Sequence, residues 1–85
     1  MTAIVTNNDT DDLFVTLYDN AAGAPVAGFS RVRINQGATA PATLQADGTG
    51  NGNVNWWAIR CNDVTTSSAG YATPPDGGPF NVTGR

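Results

Sequence analysis

The chain reads as an all-β protein, and three observations carry that reading. Short runs of β-branched and aromatic residues alternate with clusters of Gly, Asn, Asp and Pro, the punctuation of strands joined by tight turns. No run keeps a helical period. The sequence also contains no Glu and no Lys, the residues on which solvated helix faces rely, whereas its abundant Asp, Asn, Gly and Thr favour caps, turns and strands. At 85 residues there is room for one domain, residues 1–85. The expected architecture is a small antiparallel β-sandwich or jelly-roll-like barrel of about six or seven short strands.

The first strand is expected over 3–6, ending at the turn Asn7-Asn8-Asp9-Thr10. The clearest is 12–19, in which Leu13, Val15 and Leu17 point to one face and Phe14, Thr16 and Tyr18 to the other. The apolar trio should face the core, which leaves Phe14 and Tyr18 outward. After the turn Asn20-Ala21-Ala22-Gly23, a strand over 28–34 puts Ser30, Val32 and Ile34 together and turns Phe29, Arg31 and Arg33 outward. Asn35-Gln36-Gly37 leads to a strand over 39–46. The glycine-rich stretch 47–52 reads as a hairpin connection to a strand over 53–62, with Asp47-Gly48 as its turn signal. Further strands at 70–73 and 80–83 flank a Pro-rich irregular loop over 74–79.

Adjacent Trp56 and Trp57 must project to opposite sides of an extended strand. Trp57, beside Ile59 and Cys61, is the expected core residue, and Trp56, beside Val54, Ala58 and Arg60, the expected outward one. A face carrying Phe14, Tyr18, Phe29 and Trp56 approaches the patch size that marks an interaction site. Arg31, Arg33, Arg60 and Tyr71 complete the candidate ligand or interface set. A bulge that shifts parity, or packing beneath the Pro-rich loop, would bury some of these rings instead.

Charge narrows the function classes. The net charge is -3, with only Arg31, Arg33, Arg60 and Arg85 positive, so phosphate backbones and anionic lipid are unattractive partners. No signal peptide and no transmembrane segment are recognisable, and a soluble chain is expected. Without histidine, none of Ser30, Ser67, Ser68 or Cys61 can enter an ordinary nucleophile and imidazole arrangement. The aspartates fall at turns, where capping accounts for them, so no catalytic residues are expected. Cys61 is the only cysteine, which excludes an intrachain disulfide and leaves metal binding or self-association as supports for a thin core.

Asp47-Gly48-Thr49-Gly50-Asn51-Gly52-Asn53-Val54 spaces oxygen ligands at alternate positions with Gly at the sharp turn, and so resembles the first part of an EF-hand calcium loop. That resemblance implies Asp47, Thr49 and Asn51 as calcium ligands, but the twelfth position is Ala58 where the family has Glu, and Asp47 is the only charge offered. The expected function is therefore a non-catalytic, homo-oligomeric binding module with a carbohydrate as ligand, as in lectins. The alternative is a structural or protein-interaction module, including an inhibitor or immunity type, whose aromatic face is its assembly surface.

Overall fold

The alternation along residues 13–19 builds a strand with one buried and one half-buried face in a computed structural model describing residues 1–85. Leu13, Val15 and Leu17 are completely buried, and Phe14, Thr16 and Tyr18 lie half-buried on the reverse. There is no helix, and eight strands follow in order: β1 (Thr2–Asn7), β2 (Leu13–Asp19), β3 (Ala24–Pro25), β4 (Val32–Ile34), β5 (Thr39–Thr43), β6 (Val54–Arg60), β7 (Asp63–Ala72) and β8 (Pro79–Val82).

They form two sheets. The smaller has the order β5-β1-β8; the larger runs β3-β2-β6-β7, with β4 also paired to β2. Ala3, Val5, Ala42, Leu44, Phe80 and Val82 from the first meet Leu13, Val15, Leu17, Ile34, Val54, Trp56 and Ala58 from the second, and Val26 and Phe29 close the same core from a loop. Burying each larger side chain contributes about 1.5–3 kcal/mol, which is what a strand with one apolar and one polar face has to gain by pairing layers.

Four expectations are corrected. The sheets are not wholly antiparallel: β8 runs parallel to β1, with Val5 opposite Phe80 and Asn7 opposite Val82. Only Val32–Ile34 of the expected 28–34 strand joins a ladder. Gly28 and Arg31 adopt left-handed conformations (φ 82° and 54°), the amide of Phe29 donates to the Val26 carbonyl at 3.1 Å, and the turn drops Phe29 into the core. The stretch 47–52 is not a hairpin but the crossover between sheets. Leu44 still donates to the Met1 carbonyl at 2.9 Å; the next amide, Gln45, donates to Asp19 Oδ2 of the other sheet at 2.8 Å. The real hairpin lies at Cys61-Asn62, so β7 begins at Asp63 rather than at residue 70.

The tryptophan pair is also reversed. Trp56 is buried, at 8% exposure, and Trp57 is 45% exposed. Trp56 lies opposite Gly70, where a Cβ would run into the indole ring, so the glycine makes the room in which the ring lies flat against the sheet. Its neighbours on that face, Val54 and Ala58, are completely buried, whereas Trp57 shares its face with Asn55.

Candidate functional site: an open aromatic face

The outer surface of the larger sheet is fixed by register. Directly opposed residues share a face, so one row reads Pro25, Tyr18, Asn55, Tyr71; the next Thr16, Trp57, Ala69; the third Arg33, Phe14, Ile59, Ser67. Adjacent strands stand about 4.8 Å apart, so these side chains form a nearly continuous layer. Tyr71 is 60% exposed. With Trp57 it supplies the accessible ring surface, while Phe14 and Tyr18 are half-buried between neighbours. The Arg31 guanidinium lies over Phe14, 5.9 Å from the ring centroid, and its own amide donates to Thr16 Oγ1 at 3.0 Å. At the other end of the face, Asn20 Nδ2 donates to Asn53 Oδ1 at 2.9 Å and to Asn55 Oδ1 at 2.8 Å, which places an amide cluster beside Tyr18 and Tyr71. No pocket encloses any of it.

The structure divides the sequence-derived candidates. Phe14, Tyr18, Tyr71 and Arg31 come together on this face. Trp56 and Phe29 belong to the core, for the reasons given above. Arg33 is held by Asp12 Oδ2 at 2.6 Å, and Arg60 by the buried Asp9. Trp57, expected in the core, stands on this face instead, and Asn55 and Asn20 are the residues sequence reasoning passed over. Their signal was the shared parity of Asn53, Asn55 and Trp57, which marks the more polar side of the strand.

The carboxylates have another occupation: all seven accept hydrogen bonds within the protein. Asp9 receives the amides of Thr10 and Gly84, the Thr83 hydroxyl and Arg60, and so pins the β1–β2 loop to the end of β6 and to the residues after β8. Asp11 takes Asn62 Nδ2 at 2.6 Å, Asp12 the Gln36 amide at 2.8 Å, and Asp76 the Thr2 amide at 2.9 Å. Asp19 receives the Ala21 and Ala22 amides as well as Gln45, and Asp63 the Thr65 and Thr66 hydroxyls. Asp47 Oδ1 accepts the amide and hydroxyl of Thr49, at 2.8 and 2.6 Å, and more weakly the Asn51 amide. Of the three residues expected as calcium ligands, Thr49 and Asn51 are thus both bonded to Asp47 within the crossover loop. No three or more Asp or Cys side chains gather closely enough to hold a metal ion between them.

Comparison with protein-family models, curated proteins and solved structures gives no match.

The bonding to the aspartates sets the acid stability. The Arg60 guanidinium holds the Asp9 carboxyl well below the usual carboxylate range, and the shift survives the opposing effect of burial. The Gln36 amide and Arg33 lower Asp12, and the Thr49 and Thr65 hydroxyls lower Asp47 and Asp63. A folded-state value below the unfolded one means stability that is fully present above about pH 4 and is lost as pH falls through the folded value. With no histidine to titrate, the urea midpoint is expected to stay level between about pH 5 and pH 7 and to drop steeply below about pH 4. A midpoint already falling between pH 7 and pH 5 would contradict this assignment. Burial pushes the Cys61 thiol up, so less of it is thiolate at neutral pH.

Proposed function

We propose that this chain is a non-catalytic binding module of β-sandwich type whose ligand, a carbohydrate, lies on the outer face of the larger sheet. The observation that carries the reading is the row Tyr18–Asn55–Tyr71 set beside Trp57. Sugars need an aromatic ring on which to stack their C–H faces and nearby amides to bond their hydroxyls, and this face offers both within neighbouring positions. The employment of every carboxylate in loop bonding supports the non-catalytic part, since no acid is left poised for proton transfer.

A glycan array with the wild-type protein, followed by titration of the best hit, tests the reading. Trp57→Ala is expected to weaken binding about tenfold, the size of roughly 1.5 kcal/mol of ring stacking, while its melting temperature stays near that of the wild type. Absence of binding to any glycan would overturn it.

The second reading is a protein-interaction module, and the lack of a pocket favours it, because an open surface suits another protein better than a small enclosed ligand. An acidic inhibitor of this kind would capture a basic partner and release it at high salt.

A further inference from the structure

Sheets end in strands whose outer backbone groups have no partner, and three of the four edges here carry a device that blocks further pairing. β5 has Pro41 at its centre, β8 opens on Pro79, and the β3/β4 side offers only two- and three-residue strands, one of them containing Pro25. β7 is different. It is ten residues long and contains no proline and, beyond Asp63, no charged residue.

Its outward-facing groups can be deduced from the ladder. In an antiparallel strand successive residues direct their N–H and C=O groups alternately to the two sides. The Asn53 carbonyl accepts from Asn20 and the Cys61 amide donates to Asp12, so the odd-numbered residues of β6 bond toward β2 and the even-numbered ones toward β7. Val54, Trp56 and Ala58 therefore exchange bonds with Ala72, Gly70 and Ser68. Ser67, Ala69 and Tyr71 are left with both backbone groups facing solvent. The register jump between Ile59 and Arg60, which loops Val64, Thr65 and Thr66 out of the ladder, confines the straight part of the edge to residues 67–72.

We infer that β7 is the site at which two copies of this chain pair, antiparallel, about a twofold axis at Ala69. In that register Ala69 faces its own counterpart and Ser67 faces Tyr71 of the second copy. The outward groups of all three then exchange both bonds of each pair. The second copy is the occupant the strip suits. Each chain carries a net charge of -3, yet the strip itself is uncharged, so two like-charged molecules can meet there without opposing carboxylates. The small side chains of Ser67, Ser68, Ala69 and Gly70 put nothing bulky at the axis. The side chains of Ala69 and Tyr71 lie on the aromatic face, so pairing makes the Trp57 and Tyr71 surfaces of both copies one continuous plane.

The test is sedimentation of the wild type and of Ala69→Lys and Ala69→Glu, at an exposed position where neither change disturbs the core. The wild type is expected to dimerise with rising concentration, and each variant alone to remain monomeric, because the substitution sets two like charges face to face. An equimolar mixture of the two variants should recover the dimer, and a far-ultraviolet circular dichroism spectrum and a cooperative urea transition like those of the wild type confirm that each is folded. In the wild type, amide exchange at Ser67, Ala69 and Tyr71 should slow as concentration rises. A wild type that stays monomeric at every attainable concentration overturns the pairing, as does a dimer that either single variant leaves intact. The measurement reads association and not glycan binding, so it stands or falls independently of the function proposed above.

Discussion

Trp56→Ala is expected to remove about 3–5 kcal/mol of folding stability, and Trp57→Ala less than about 1. The two residues are neighbours in sequence and identical in chemistry, so the contrast measures only which side of the sheet each occupies. Truncating Trp56 empties the space above Gly70 and between Val54 and Ala58, and the surrounding ladder holds that cavity open. A domain of this size has a total stability of roughly 5–10 kcal/mol, so the change removes a large share of it. Truncating Trp57 removes a ring that is 45% exposed. Urea titrations give the magnitudes, and emission spectra give the assignment: Trp57→Ala should leave only blue-shifted emission from the buried indole. Equal losses from the two substitutions would contradict the placement.

Asp9→Ala is expected to cost about 3–5 kcal/mol, although Asp9 lies in a loop. Its side chain is almost fully buried and its partner Arg60 is mostly so. Removing the carboxylate leaves the guanidinium without its directly bonded counter-charge and the buried Gly84 amide without an acceptor at once. Losing one member of a buried pair costs far more than the pair contributes to stability, because the remaining charge has been taken from water. The double variant Asp9→Asn with Arg60→Met should therefore be more stable than Asp9→Ala, since the amide oxygen still meets Gly84 and no charge stays behind. Thermal melts of the three proteins at pH 7 decide it. An Asp9→Ala protein within about 1 kcal/mol of wild type would show that the pair is solvated and not structural.

Much of the fold was legible where one side of a strand is apolar and the other is not. The alternation of Leu13–Tyr18 identified β2 and its faces, and β1, β5, β6 and β8 fall close to their expected places. What escaped has a physical reason in each case. Residues 63–69 read Asp-Val-Thr-Thr-Ser-Ser-Ala and form an edge strand with no fully buried residue on either side, so no apolar alternation marks them. The descent of Phe29 into the core depends on left-handed backbone at Gly28 and Arg31, and arginine gives no hint of that conformation. The choice between Trp56 and Trp57 is made by Gly70, a residue on a strand that had been only partly recognised. Phe14, Tyr18 and Tyr71 of the candidate site were legible, whereas its two central members, Trp57 and Asn55, depended on that choice.

The parallel pairing of β1 with β8 bears on the order in which the chain can fold. Synthesis delivers β1 first and β8 last, so Ala3 and Val5 emerge with one side of their sheet unprovided for until Phe80 and Val82 follow. Closing a loop of more than seventy residues precedes any reward from that ladder, and the Gly84 amide reaches Asp9 only at the same late moment. Folding of this small protein is therefore expected to be slow for its size and all-or-none, with no stable fragment ending short of residue 79.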